Sequence, residues 1–270
     1  MRYWKSVLVI LLVFVLILFI NNYITNNSFP VFQRDFSRDF LQDQSLKIMT
    51  YNIQHGVGLD GNLNLERTAE VLKTADAGII GLNEVDNKMY RSNFKNQIKI
   101  LSNRLKMNYV FGANIDTIFG NYGNGLLTKF PVKKIDNHKL PGEKGKEPRG
   151  LLEAEVLISP VFSLKVLVTH LSLETEERNK QWQWILQHIN SIEGPFVLMG
   201  DFNFQENLVE ASDYFIAAEK TFPADSPVKE IDMFFSNSLV KKEIYTINSI
   251  ASDHLPLIVE MHVENFEKQL

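Results

Sequence analysis

From residue 46 onward, apolar residues come in short runs broken by polar ones, and their spacing sorts the runs into strands and helices. Residues 46–51 alternate like a half-buried strand and stop at Asn52. Residues 65–75 change to helical spacing, with Leu65, Ala69, Val71 and Leu72 in one apolar stripe. A buried strand over 77–82 follows, then a helix over 97–107 carried by Ile98, Ile100, Leu101 and Leu105. Strand-like runs fall at 108–111, 125–128, 132–139, 151–158 and 162–171. A helix over 175–189 opens on glutamates, which suit the positive end of its dipole. Further strands are predicted at 196–199, 231–235, 243–247 and 257–263. Strand and helix alternate early and strands dominate later, with no repeat period and no linker within 46–270. That pattern predicts one mixed α/β domain, sheets in the middle and helices outside.

The first residues follow a different rule. Arg2 and Lys5 precede an uninterrupted apolar run over 7–20, with Tyr3, Trp4 and Tyr23 at its edges. The run is short of the roughly 20 apolar residues of a comfortable membrane span, so a signal peptide competes with an anchor. No small-residue cleavage site follows it, and an uncleaved transmembrane anchor over residues 1–26 is the expectation. The positive residues would stay cytoplasmic and send the rest of the chain outside, at the outer face of the cell membrane. Residues 27–45 show no clear period and read as a tether.

Composition narrows the chemistry. Cysteine is absent, which excludes disulfides, thiolate metal sites and a cysteine nucleophile. The chain's net charge is −4, and it becomes more negative once Arg2 and Lys5 are set aside, an argument against tight non-specific binding to duplex nucleic acid. Lys133, Lys134, Lys139, Lys144 and Lys146 form a modest basic cluster whose ordinary reading is a solvated surface.

Polar residues recur where strands end. Asn52, Glu84, His170 and the pair Asp201 and Asn203 each follow an apolar run, Asp232 lies inside one, and Ser252-Asp253-His254 precedes the last. Taken singly, each has an innocent explanation: a cap, an Asx-type turn after Gly200, a solvated Glu84 and Asp86, a satisfied buried histidine. Their repetition at one kind of position is better explained by a ligand site outside the strand ends.

Five segments carry a resemblance: Thr50-Tyr51-Asn52-Ile53, Leu82-Asn83-Glu84-Val85-Asp86, Thr169-His170-Leu171, Gly200-Asp201-Phe202-Asn203 and Ser252-Asp253-His254-Leu255-Pro256. In order and spacing the chain resembles the endonuclease/exonuclease/phosphatase superfamily, the DNase-I-like group, over residues 46 to about 263. The resemblance implies a four-layer α/β sandwich, two central mixed sheets flanked by helices, preceded here by the N-terminal transmembrane or signal helix. It also implies a metal-dependent phosphoric ester hydrolase. Glu84 and Asn52 would hold a divalent cation, Mg²⁺ before Mn²⁺ or Ca²⁺, with Asp253 near it. Asp201 and Asn203 would orient the attacking water and contact the phosphate or a second metal position. His254, steered by Asp232, would be the general base or a phosphate-contacting histidine, and His170 would also belong to the catalytic set. Arg149 would bind phosphate, and Asn124 would stand on the phosphate side.

Histidine in Thr169-His170 and the Ile53-Gln54 that follows Asn52 resemble the DNase I, sphingomyelinase and phosphatase relatives more than abasic-site endonucleases. The expected function is hydrolysis of a lipid headgroup or small phosphoester at the outer membrane face by a monomer. The alternatives are an exported DNase-I-like nuclease acting on nucleic acid, and an inactive tethered binding protein. Loops over 112–122 and 139–147 are expected to choose the substrate.

Overall fold

In the computed structural model, which describes residues 2–27, 41, 45–204 and 214–263, the apolar runs assemble into two six-stranded sheets. The elements in chain order are α1 (Arg2–Asn27), β1 (Ser45–Asn52), α2 (Leu65–Ala75), β2 (Ile79–Asn87), α3 (Gln97–Leu105), β3 (Asn108–Asp116), β4 (Asn121–Thr128), β5 (Val132–Lys139) and β6 (Gly150–Ser159). They continue with β7 (Phe162–His170), α4 (Thr175–Asn190), β8 (Phe196–Asp201), β9 (Phe215–Ala218), β10 (Asp232–Ser236), β11 (Leu239–Thr246) and β12 (Leu257–Val263).

One sheet runs β11-β12-β1-β2-β4-β3 and the other β5-β6-β7-β8-β10-β9. β1 and β2 are parallel, as are β7 and β8, and the remaining pairs are antiparallel. Each parallel pair is joined through a helix, α2 in one sheet and α4 in the other. Both sheets therefore follow the same plan, an antiparallel pair, a β-α-β unit and a second antiparallel pair, which no sequence period announces.

Three apolar layers hold these parts together. Between the sheets lie Ile48, Val110, Val166, Val168, Met199, Phe234 and Val259. Leu72, Leu82, Ile98 and Leu101 join one sheet to α2 and α3. Trp182, Ile185, Phe202 and Phe235 join the other to α4. This is the four-layer α/β sandwich expected from the sequence.

Local signals explain the element ends. Asn64 and Asn96 cap α2 and α3, accepting from the Arg67 and Lys99 N–H groups at 3.1 Å. Lys106 then adopts a left-handed conformation, so α3 stops at Leu105, short of the predicted 107. The predicted loop over 112–122 is mostly hairpin: β3 runs on to Asp116 and β4 begins at Asn121. β9 had no counterpart in the sequence reading, and β11 starts at Leu239 rather than 243.

α1 exists, and its side chains at 7–18 are exposed and apolar. Among the described residues, however, no helix is long and apolar enough to cross a membrane. The uninterrupted apolar run over 7–20 rises only about 21 Å at 1.5 Å per residue, against a hydrocarbon core of roughly 30 Å. The expected spanning helix is thus not found there. Most of the tether, and residues 264–270 of the expected domain, lie outside the described residues. Leu41 does touch the domain, donating its N–H to Ile158 O at 3.1 Å.

Candidate active site

Strand register sets the first row of the site. His170 on β7 pairs with Asp201 on β8, and Asp201 pairs with Asp232 on β10, so three polar residues stand side by side across the sheet. His254, from the turn before β12, reaches over this row. Its Nδ1 is 2.8 Å from Asp232 Oδ2 and its Nε2 is 3.6 Å from Asp201 Oδ2. His170 Nε2 approaches the same Asp201 oxygen at 3.5 Å. Asp232 is fully buried, and its Oδ2 also accepts the Thr221 hydroxyl. The Phe222 ring packs on the His254 imidazole with centroids 4.8 Å apart.

The other sheet supplies the facing wall. β2 does not end at Glu84 as predicted: it continues to Asn87, and its register against β4 shifts between Leu82 and Val85. The bulge puts Glu84 in a left-handed conformation (φ 58°) and turns its carboxylate into the cleft. Asn52, ending β1, donates Nδ2 to Glu84 Oε1 at 3.1 Å and to Asp201 Oδ2 at 3.2 Å. Its Oδ1 accepts the Gln54 N–H at 3.1 Å.

Gly200 makes the close pairing of β8 with β7 possible. Its φ is +146°, and a Cβ there would lie 1.8 Å from Thr169 O. The next residue, Asp201, donates its N–H to Asn83 Oδ1 across the sheets at 2.9 Å. Asp201 Oδ1 then accepts the Asn203 N–H at 3.0 Å, the Asx turn read as the innocent alternative, while Oδ2 stays turned toward Asn52 and the histidines. Turn and site coexist in one carboxylate. Asn203 donates Nδ2 to Leu171 O at 3.0 Å and lines the cleft.

The resulting cleft encloses about 500 Å³. It brings together Asn52, Glu84, Arg149, His170, Asp201, Asn203, Asp253 and His254, with Asp232 directly behind His254. It does not bring in Asn124. That residue is buried below, donating to Gly150 O and Val168 O and accepting from Asn83 Nδ2 at 2.9 Å. Asn124 therefore supports Asn83 instead of facing phosphate. Arg149 is nearly buried, with Nη1 2.9 Å from Glu147 Oε1 and no partner for Nε among the described residues.

Asn83, Arg91, Thr221 and Lys229 were not assigned roles from sequence. Asn83 sat within a quoted motif, but nothing in the sequence says which of two adjacent polar residues a bulge will turn inward. Asp86 is fully buried rather than solvated, and its carboxylate takes Arg91 through two bonds at 2.8 and 2.9 Å. That pair holds Arg91 at the cleft's rim beside Met89, Ile115 and Tyr122.

The electrostatics divide the acids. Burial pushes Glu84 up, but the His55 hydrogen bond and the His170 and Asn52 neighbours outweigh it and hold the carboxyl down to about 2. Burial raises the Asp201 carboxyl, with His254 opposing and Asp232 adding to the rise. Burial disfavours charge on His254, yet Asp232 and Asp201 overcome it and raise its proton affinity well above the usual histidine range. His170 is lowered by burial and then by Arg149, which keeps it neutral. Of the two roles expected for His254, these shifts favour a protonated contact to phosphate over a base.

Glu84, Asp253 and the Asn52 amide offer oxygen donors, the kind a hard cation prefers. A half-turn of the Asn52 amide would present its oxygen, now given to Gln54, beside Glu84. The residues fit a divalent cation. Asp201, Asp232 and His254 also come within ligating range of one another. Asp232 Oδ2 is already held by Thr221 and His254, however, so this oxygen is engaged in hydrogen bonds.

Sandwich and cleft together define a DNase-I-like protein. The model of the Endonuclease/Exonuclease/phosphatase family matches residues 49–254, and the chain belongs to that family, whose members hydrolyse phosphoesters. The chain is also similar to Uncharacterized protein YbhP of Escherichia coli (strain K12), at 24% identity over 83% of this chain and 99% of that one. Among solved structures it is similar to TDP2 of D. rerio complexed with single-strand DNA product, at 18% identity, covering 81% and 99% of the two chains with a TM-score of 0.63. A mannosyl-6-phosphatase of Bacteroides thetaiotaomicron VPI-5482 gives 18% identity, 80% and 99% coverage, and a TM-score of 0.63.

Proposed function

We propose that the chain is a divalent-cation-dependent phosphoesterase that hydrolyses a lipid headgroup or small phosphoester. One observation carries this reading: Asp232, hydrogen-bonded to His254, and Asp201, 3.6 Å from the same imidazole, stand in a row opposite Glu84, with the nearly buried Arg149 in the same cleft. A carboxylate of raised proton affinity is matched to taking a proton near neutrality. In this reading Asp201 accepts the proton of a water whose oxygen bonds to phosphorus. The ester P–O bond breaks, and the leaving oxygen is protonated from solvent. Protonated His254 and the Arg149 fork neutralise non-bridging oxygens. Asn203 orients the water. Glu84, with Asn52 and Asp253, would hold Mg²⁺, which when bound neutralises phosphate charge and assists the leaving oxygen.

Substrate size and surface charge support a small ester. A cleft of about 500 Å³ has the volume of a small-ligand pocket. In the basic cluster, Lys133 lies 3.9 Å from Glu155, Lys134 3.3 Å from Asp136 and Lys146 3.6 Å from Glu174, so these lysines are partly neutralised as contacts for a DNA backbone. The exposed apolar residues of α1 support a position beside a membrane.

The full chain, incubated with Mg²⁺ or EDTA, tests this against sphingomyelin and phosphatidylinositol vesicles, sugar phosphates and plasmid DNA. EDTA-sensitive release of headgroup or phosphate with intact DNA is expected. Nicking of DNA alone would instead establish a nuclease, and inactivity on every substrate a binding protein.

A further inference from the structure

On the outer face of the second sheet, remote in sequence from every cleft residue except Arg149's loop, three side chains from three elements meet. His138 lies on β5, Glu153 on β6 and His188 in the last turn of α4. His138 Nε2 is 3.1 Å and His188 Nε2 2.7 Å from one oxygen, Glu153 Oε2. The imidazole centroids are 4.6 Å apart. Trp184, one turn before His188, stacks on it at 5.2 Å and 12° and also packs on His138 at 5.7 Å. The side chains are 27%, 13% and 22% exposed in the order His138, Glu153, His188, so the group is anchored yet open to solvent.

We propose that His138, Glu153 and His188 form a transition-metal site, taking Zn²⁺ with solvent in the fourth position. Two imidazoles and a carboxylate are a nitrogen-rich set suited to Zn²⁺ and unsuited to the hard cation that fits the cleft. Ligand atoms around a tetrahedral Zn²⁺ at about 2.0–2.2 Å lie roughly 3.3–3.6 Å apart. The three ligand atoms here all lie within 4.8 Å of one another. Side-chain adjustments of about an ångström therefore admit the ion. Without metal, both rings must keep their protons on Nε2 to share one oxygen. With metal, each moves its proton to Nδ1, and no other atom needs to leave. β5 is the edge strand of its sheet, so the ion would fasten that edge and the end of α4 to β6.

The test uses the full chain with excess Mg²⁺, which occupies the oxygen-donor cleft, and Zn²⁺ in equilibrium dialysis. The wild type is expected to retain one zinc per chain more than a His138→Gln/His188→Gln variant, and Glu84→Gln to retain it as the wild type does. Zn²⁺ should raise Tm in the wild type and not in the double variant. Co²⁺ should give the wild type a visible absorption band and quench tryptophan emission through Trp184. Equal zinc in wild type and a folded double variant would overturn the proposal. So would a wild type showing neither the Co²⁺ band nor quenching, a result that holds even where the variant does not fold.

Discussion

The side-chain oxygen of Asn83 accepts the backbone N–H of Asp201 at 2.9 Å, joining the end of β8 to the bulge of β2. Asn83 is itself held by Asn124 Oδ1 and Thr169 O at 2.9 and 2.8 Å. Asp201 is thus placed by a chain of buried amides that never enters the cleft. Asn83→Ala leaves the buried Asp201 N–H without this partner, at a cost of about 1–3 kcal/mol. Urea denaturation should show that loss, and kcat should fall with KM little changed because the carboxylate is displaced.

Asp232 should set the alkaline limit of activity. His254 gains proton affinity mainly from Asp232 and Asp201, against burial. Its folded-state affinity therefore exceeds the unfolded one. The associated stability is complete below the unfolded pKa of roughly 6.5 and fades as pH rises through the raised folded value. In Asp232→Asn the alkaline limb of kcat/KM should move to lower pH, and alkaline denaturation should begin earlier. A limb that does not move would separate His254 from the reaction.

Arg149 presents a planar fork, and lysine would present a point charge. Arg149→Lys should lower kcat/KM by roughly 10²-fold while leaving Tm close to the wild type, since charge and much of the buried stem are kept. Steady-state kinetics on the substrate found to turn over, with thermal melts alongside, separate the two effects.

The fold was largely legible because alternating and helical apolar periods mark the two kinds of layer. Asp201 and His170 were legible because long apolar runs end on them and the parallel β7–β8 register then sets them side by side. Glu84 reads as a strand end in the sequence and lies in a bulge within β2, since a bulge depends on the partner strand β4. Asn124 has the residue type of a phosphate contact, and only the crossing of two sheets reveals that its amide is spent on Asn83, Gly150 and Val168. β9 is short, and the β3–β4 hairpin is polar at its tip, so neither left a clean period. The shared plan of the sheets is topological and leaves no trace in residue identity.

In the proposed reaction Asp201 is the proton acceptor beside His254. Its most direct test is the single-turnover rate of Asp201→Asn with saturating Mg²⁺, beside a measurement of substrate binding. The substitution keeps the size and the Asx turn while removing the base. A fall of roughly 10²–10⁴-fold in rate with substrate binding retained is the predicted result. Wild-type turnover in a folded Asp201→Asn chain would exclude Asp201 as the base.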